Sequence, residues 1–367
     1  MSYITAIGIA NPPNRFSQTK IADFMIKAMQ LTHNESRVLR TIFKASGIDF
    51  RHSVLKDYGA ENDFRFYPNS PDFEPFPSTE KRLLAFRENA LILSSNAIDN
   101  MLESVPAFDV KEITHLIVVC CTGMYAPGLD IDLVKQYNLS PSVQRTGINF
   151  MGCYAAFNAL KVADAFCYQN TNAKVLIVCT ELCSLHFQKN PTEDNLLANA
   201  LFADGSAALL VESETKQSIK LKPESFHSAV ISETEQDMAW SIGNLGFEMK
   251  LSTYVPSIIK SGITKLTETL LNKISKKLSD VQFFAIHPGG KKILENIEQE
   301  LGVTREQNQA AYDVLKNYGN MSSPTILFVL HSIMNKLRPE HNNEYILSFA
   351  FGPGLTLESM IIKITVD

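Results

Sequence analysis

The sequence predicts a duplicated α/β fold in which helices and sheets alternate in layers. The chain has 367 residues, 45% of them hydrophobic and 20% charged, which is enough to build a large core. Its strongest apolar runs are continuous rather than alternating, the pattern of strands covered on both faces. Finally, one order of elements (strand, apolar helix, strand, hairpin strand) occurs twice, so helices are expected between sheets.

In chain order, Met1–Ala10 is a short apolar run without a cationic start, cut off by Pro12 and Pro13, and it predicts a strand rather than a signal peptide. Phe50–Lys81 is rich in Pro, Asp, Asn and aromatic residues without periodicity and predicts an irregular excursion, after which Glu80–Ser104 predicts an amphipathic helix. Ile113–Cys121, Lys174–Thr180 and Ser206–Glu212 predict buried strands, with a helix over Tyr154–Tyr168 between the first two. In the second half, Val281–His287 predicts a strand and Ser322–Leu337 a helix. Tyr345–Phe351 and Leu355–Thr365 complete that half as strands. The halves are expected to divide at 1–215 and 216–367.

The formal net charge is −5 with both signs interspersed, so nucleic-acid binding is not expected and an anionic ligand requires a local basic cluster. No apolar stretch approaches a membrane span. The six cysteines form no paired CxxC zinc pattern, and no GxGxxG or Walker loop occurs, so neither a metal nor a redox cofactor is expected. Disulfides and glycosylation at Asn320-Met321-Ser322 are not expected without an export signal; the expected location is cytoplasmic.

Three residues carry chemistry at element ends, where α/β folds place active sites. Cys153 follows Gly152 at the start of a helix, whose free N–H groups favour a thiolate. Gly152 permits a sharp turn, and Ala155 and Ala156 leave room beside the sulfur. As a residue type alone, a buried cysteine is more often an inert core residue. His287 ends the apolar run Phe283-Phe284-Ala285-Ile286 and precedes Pro288-Gly289-Gly290, which suits either a reacting group or a core histidine satisfied by backbone. Asn320 opens the second half's central helix as Cys153 opens the first's, and is either an N-cap or an oxyanion donor.

Gly-Cys-Tyr-Ala-Ala (152–156), Ala-Leu-Phe-Ala-Asp-Gly (200–205), Ile-His-Pro-Gly-Gly (286–290), Tyr-Gly-Asn-Met-Ser-Ser (318–323) and Phe-Gly-Pro-Gly-Leu-Thr-Leu-Glu (351–358) stand in the order of the type III polyketide synthase signature blocks. The chain resembles that chalcone-synthase-like family over essentially its whole length. The resemblance implies a thiolase-like fold in an α-β-α-β-α arrangement, a homodimer, and a Cys153–His287–Asn320 triad. It implies that Phe202 and Phe247 gate the pocket, with Cys183, His186 and Ala350 helping to set its volume; plant members usually carry glycine where Ala350 stands. The segment 121–128 is shorter than its plant counterpart and resembles bacterial members.

The implied reaction loads an acyl-CoA starter onto Cys153, decarboxylates malonyl-CoA, and repeats the condensation before the chain cyclises to a pyrone, resorcinol or phloroglucinol-type ring. A Cys153 thiolate paired with a His287 imidazolium is expected. CoA is expected to meet Arg37, Arg40 and Lys44, which share one face of a predicted helix, or Lys291 and Lys292, with Gly289 and Gly290 allowing close approach of pantetheine. Competing readings are a single-round enzyme of the ketoacyl-synthase III or hydroxymethylglutaryl-CoA synthase type, a catalytically silent thiolase-fold scaffold, and a cysteine hydrolase.

Overall fold

Every residue of the strands His115–Cys120 and Asp204–Glu212 is buried, as expected of continuous apolar runs covered on both faces. They belong to a nine-stranded mixed sheet in a computed structural model that describes residues 1–232 and 234–366. Across the first half of the sheet the strands lie in the order Gln144–Asn149, His115–Cys120, Lys174–Leu182, Asp204–Glu212 and Tyr3–Ala10. The second half runs Phe283–Ile286, Tyr345–Gly352, Thr356–Val366 and Ile219–Val230. Three parallel strands in the first half, and two in the second, are followed by two antiparallel pairings. The second half thus repeats the first with the outermost strand missing. The duplication expected from the order of elements is present in the topology.

The two half-sheets are not separate. They join where Ile4 pairs with Leu221, so one continuous sheet folds around the central helices. Those helices are Ala155–Gln169 and Ser323–Met334, which pack on each other and against strands of both halves. From Ser323 to Leu330 every residue of the second helix is buried, which only a helix surrounded by protein tolerates. Thr79–Ser104 covers the outer face of the first half-sheet and Val255–Asn272 that of the second. The layers therefore read helix, sheet, helix, sheet, helix.

The stretch after Phe50 is irregular, as expected, apart from the strand Phe50–Ser53 and a short turn of helix. Phe64, Phe66, Tyr67, Phe73 and Phe76 are buried against Phe24, Tyr58 and Phe187, forming an aromatic core whose ring spacing needs no backbone period. Cys153 does not begin its helix directly. A short 3-10 turn, Gly152–Tyr154, precedes the α-helix that starts at Ala155.

Candidate active site

Gly152 has φ +76°, and a Cβ there would lie 2.4 Å from Cδ of Pro353, so only glycine permits this turn. Two residues before it, Phe150 is also left-handed at φ +58°. The second central helix opens similarly, with Gly319 at φ +72° and Ser322 at φ +61°. Left-handed non-glycine residues are costly and persist where the surroundings hold them. The two turns deliver Cys153 and Asn320 to one point: Nδ2 of Asn320 lies 4.0 Å from Sγ of Cys153.

The Asn320 amide is oriented from three sides. Its Oδ1 accepts from the Ser322 N–H at 2.8 Å, while Nδ2 donates to the Gly289 carbonyl at 3.3 Å. Its backbone N–H donates to the Leu201 carbonyl at 2.9 Å. Gly289 is two residues beyond His287, whose own N–H donates to the Phe349 carbonyl at 2.8 Å and fixes it at the strand end. His287 is buried, and neither ring nitrogen has a hydrogen-bond partner among the described residues. A core histidine satisfied by backbone is therefore not what the structure contains.

Burial pushes the Cys153 thiol up to about 12, opposed by the Ser322 hydroxyl and the Asn320 amide. Burial alone lowers the His287 imidazole to about 3. Taken singly, burial disfavours the charged form of each group.

Glu181 was not singled out by the sequence. It lies wholly buried at the end of Lys174–Leu182 and accepts from the Cys121 N–H, the Thr122 hydroxyl at 2.7 Å and the Ser323 hydroxyl at 2.8 Å. Burial raises its carboxyl to about 7 despite these donors. It ties the 121–122 segment to the first turn of the second central helix, so both sides of the site share one buried carboxyl.

A cavity of about 20 Å³ beside Cys153 is lined by Cys121, Cys183, Phe202, Met238, Trp240 and Met249 among others. A second cavity of about 40 Å³ shares Cys183, Phe202, Trp240 and Met249 with it and reaches Arg51, His186 and Phe247. His186 donates from Nε2 to the Thr122 carbonyl at 2.7 Å and accepts the Phe247 N–H at Nδ1, which fixes its neutral tautomer. Phe247 stacks on that ring at 4.2 Å. Phe202, Phe247, Cys183 and His186 are thus brought together. Ala350 is not: it is fully buried in the sheet opposite Glu358 and lines neither cavity, so its methyl is core packing rather than cavity floor.

Gly290 and Lys291 line a groove of about 310 Å³ with Gly289, Lys292, Leu201, Ala45 and Ser46. Gly289 and Leu201 are also the residues whose carbonyls hold Asn320, so this groove reaches the back of the site. Arg37, Arg40 and Lys44 lie on the His33–Ala45 helix, but Ile42, Ala45 and Ser46 face the groove instead. Arg40 and Lys44 line a different surface hollow, and Arg40 pairs with Asp23 at 2.6 Å. The structure therefore separates the two basic sets. Among the described residues there is no His/Cys/Asp/Glu group able to hold a metal ion, and no helix long and apolar enough to cross a membrane.

The layered, duplicated architecture with a thiol and an amide at the openings of its two central helices is that of the thiolase-like condensing enzymes. The chain belongs to the chalcone and stilbene synthase family: the family's N-terminal domain model matches residues 1–215 and its C-terminal domain model residues 224–365. Alpha-pyrone synthesis polyketide synthase-like Pks18 of Mycobacterium tuberculosis is 31% identical over 99% of this chain and 91% of that protein. Probable polyketide synthase 1 of Dictyostelium discoideum is also 31% identical over 99% of this chain, which spans only 11% of that much longer protein. Among solved structures, the C-terminal type III polyketide synthase domain of Steely1, a type I/III hybrid from Dictyostelium, superposes with a TM-score of 0.91 at 30% identity, covering 100% of this chain and 99% of that one. PKS-I from the brown alga Ectocarpus siliculosus gives 0.89 at 30% identity, covering 99% and 98%. The protein is a type III polyketide synthase, an acyltransferase-type enzyme.

Proposed function

We propose that Cys153, His287 and Asn320 are the reaction centre of an iterative decarboxylative condensation. The observation that carries this reading is the convergence of a thiol and an amide from two halves of the fold, the amide bonded to the Gly289 carbonyl two residues beyond a buried imidazole that has no hydrogen-bond partner among the described residues. His287 takes the Cys153 proton as the sulfur attacks an acyl-CoA thioester, giving the Cys153 acyl thioester and free CoA. Malonyl-CoA then loses carbon dioxide. Its developing enolate oxygen receives hydrogen bonds from the Asn320 amide and from His287, where preorganised donors contribute most. The enolate carbon attacks the Cys153 thioester and releases the thiolate, leaving the chain two carbons longer on CoA. Repetition and ring closure give a pyrone, resorcinol or phloroglucinol-type product. Carbon dioxide release drives the step, so no metal or redox cofactor is required.

CoA thioesters enter along the groove between Ala45, Leu201 and Gly290, with Lys291 and Lys292 meeting the phosphates. The enzyme acts in the cytoplasm, consistent with six buried free cysteines, and as a homodimer. Support for the dimer comes from the strand Gln144–Asn149, an edge of the sheet whose neighbour in it is His115–Cys120, beside an exposed Met124.

Purified protein and Cys153→Ala, incubated with radiolabelled malonyl-CoA and short, aromatic and long-chain acyl-CoAs, test the reading. Cyclised products with two or more malonyl-derived units, absent from the variant, are expected. A single condensation would move the chain to the single-round synthases. No Cys153-dependent turnover would favour a silent scaffold.

A further inference from the structure

The two cavities are small. About 20 Å³ beside Cys153 and about 40 Å³ in its neighbour hold a few water-sized groups, not an extended acyl chain. A chain growing on Cys153 therefore reaches the shared wall after very little extension. That wall is Cys183, Phe202 and a cross-strand pair, Trp240 and Met249, from the hairpin Met238–Gly243 and Gly246–Leu251.

Trp240 is the chain's single tryptophan, and it is held firmly. Its Nε1–H donates to the Cys121 carbonyl at 2.8 Å. Its ring stands edge-on to Phe247 and to His186, each at 5.9 Å. Because His186 is itself bonded to Thr122 and to the Phe247 N–H, the hairpin is clamped to the 121–122 segment at two points. Fixed in this way, the indole is a rigid partition.

Beyond the partition the cavity is not purely apolar. Arg51, wholly buried there, donates through Nε to Gln18 and through Nη1 to the carbonyls of Asn199 and Phe202. Its Nη2 has no hydrogen-bond partner among the described residues. A buried guanidinium arm without an acceptor is costly, and a carbonyl oxygen would satisfy it where an alkyl chain would not.

We propose that Trp240, with Met249, limits the number of malonyl-derived units this enzyme adds, by closing the Cys153 cavity against an annex suited to the far, keto-bearing part of the growing chain. The proposal rests on the polyketide reading above and names the residues of this chain that decide when extension stops. With the wall in place, the chain cyclises or is released once its far end meets the indole. With the wall reduced, the same chain runs on towards Arg51 and accepts a further unit.

The test uses the full chain, the starter that wild type prefers, and radiolabelled malonyl-CoA, with products read by mass. Trp240→Ala is expected to shift the majority product by at least one malonyl-derived two-carbon unit, and Met249→Ala to shift it in the same direction. Trp240→Phe keeps most of the bulk while losing the bond to Cys121, and is expected to keep the wild-type unit count. Circular dichroism checks folding; if Trp240→Ala is unfolded, Met249→Ala carries the test alone. Folded, active opening variants with the wild-type unit count would overturn the proposal, as would their accepting longer alkyl starters without an added unit. A wild-type enzyme that condenses nothing would instead overturn the polyketide reading and this proposal with it.

Discussion

Cys153 and Asn320, 167 positions apart in the chain, meet with sulfur and amide nitrogen 4.0 Å apart, each delivered by the turn that opens a central helix. The pair lies across the pseudo-symmetric halves of the fold. Neither half alone carries both residues.

This division separates the two residues experimentally. Cys153→Ala is expected to abolish labelling by an acyl-CoA and all product. Asn320→Ala is expected to retain acyl labelling of Cys153 while condensation falls by roughly a hundredfold or more, the usual cost of removing one oxyanion donor. Mass spectrometry of the intact protein, alongside product assays, checks both. Equal loss of labelling in the two variants would make Asn320 a structural cap, because its Oδ1 also holds the Ser322 N–H.

Glu181 predicts a pH dependence of stability. Burial raises its carboxyl from 4.5 to about 7, so the folded state holds the proton more tightly than the unfolded chain. Its contribution is present in full below pH 4.5 and is lost as pH rises through about 7, by up to about 3 kcal/mol. His287 has the opposite sign. Its imidazole falls from 6.5 to about 3 on burial, so stability is lost as pH drops through that window. Glu181→Gln isolates the first effect: the wild-type advantage in denaturant unfolding should shrink as pH rises from 4.5 to 7. A difference independent of pH would show that the carboxyl does not titrate there.

The two basic sets predict different kinetics. Replacing Lys291 and Lys292 together by alanine is expected to raise KM for acyl-CoA several-fold at low salt. The effect should fade as salt is added and be absent with a pantetheine-like thioester lacking phosphates. Arg40→Ala is expected to stay near wild type, since Arg40 is paired with Asp23 and lies away from the groove. The reverse ranking would place CoA along the His33–Ala45 helix instead.

Much of this was legible in the residues. Continuous apolar runs marked the buried strands, and the repeat of their order marked the duplication, because burial on both faces leaves a pattern in the chain itself. Gly152 before Cys153 was legible for a local reason, since the turn admits no Cβ. Other features left no local mark. The rings between Phe64 and Phe76 pack without any period, and Glu181 is one carboxyl within an apolar strand.

The sequence by itself determined the layered α/β class, the family and the three residues of the proposed centre, because strand period, turn chemistry and signature blocks are properties of neighbours in the chain. Only the tertiary structure decided that His287 has no hydrogen-bond partner among the described residues, that Ala350 lies outside the cavities, and that Arg40 stands apart from the groove reached by Lys291. It also decided that Trp240 divides two cavities. Each of these depends on which side chains from distant segments come within a few ångströms, and the orientation of each is fixed by packing rather than by its place in the chain.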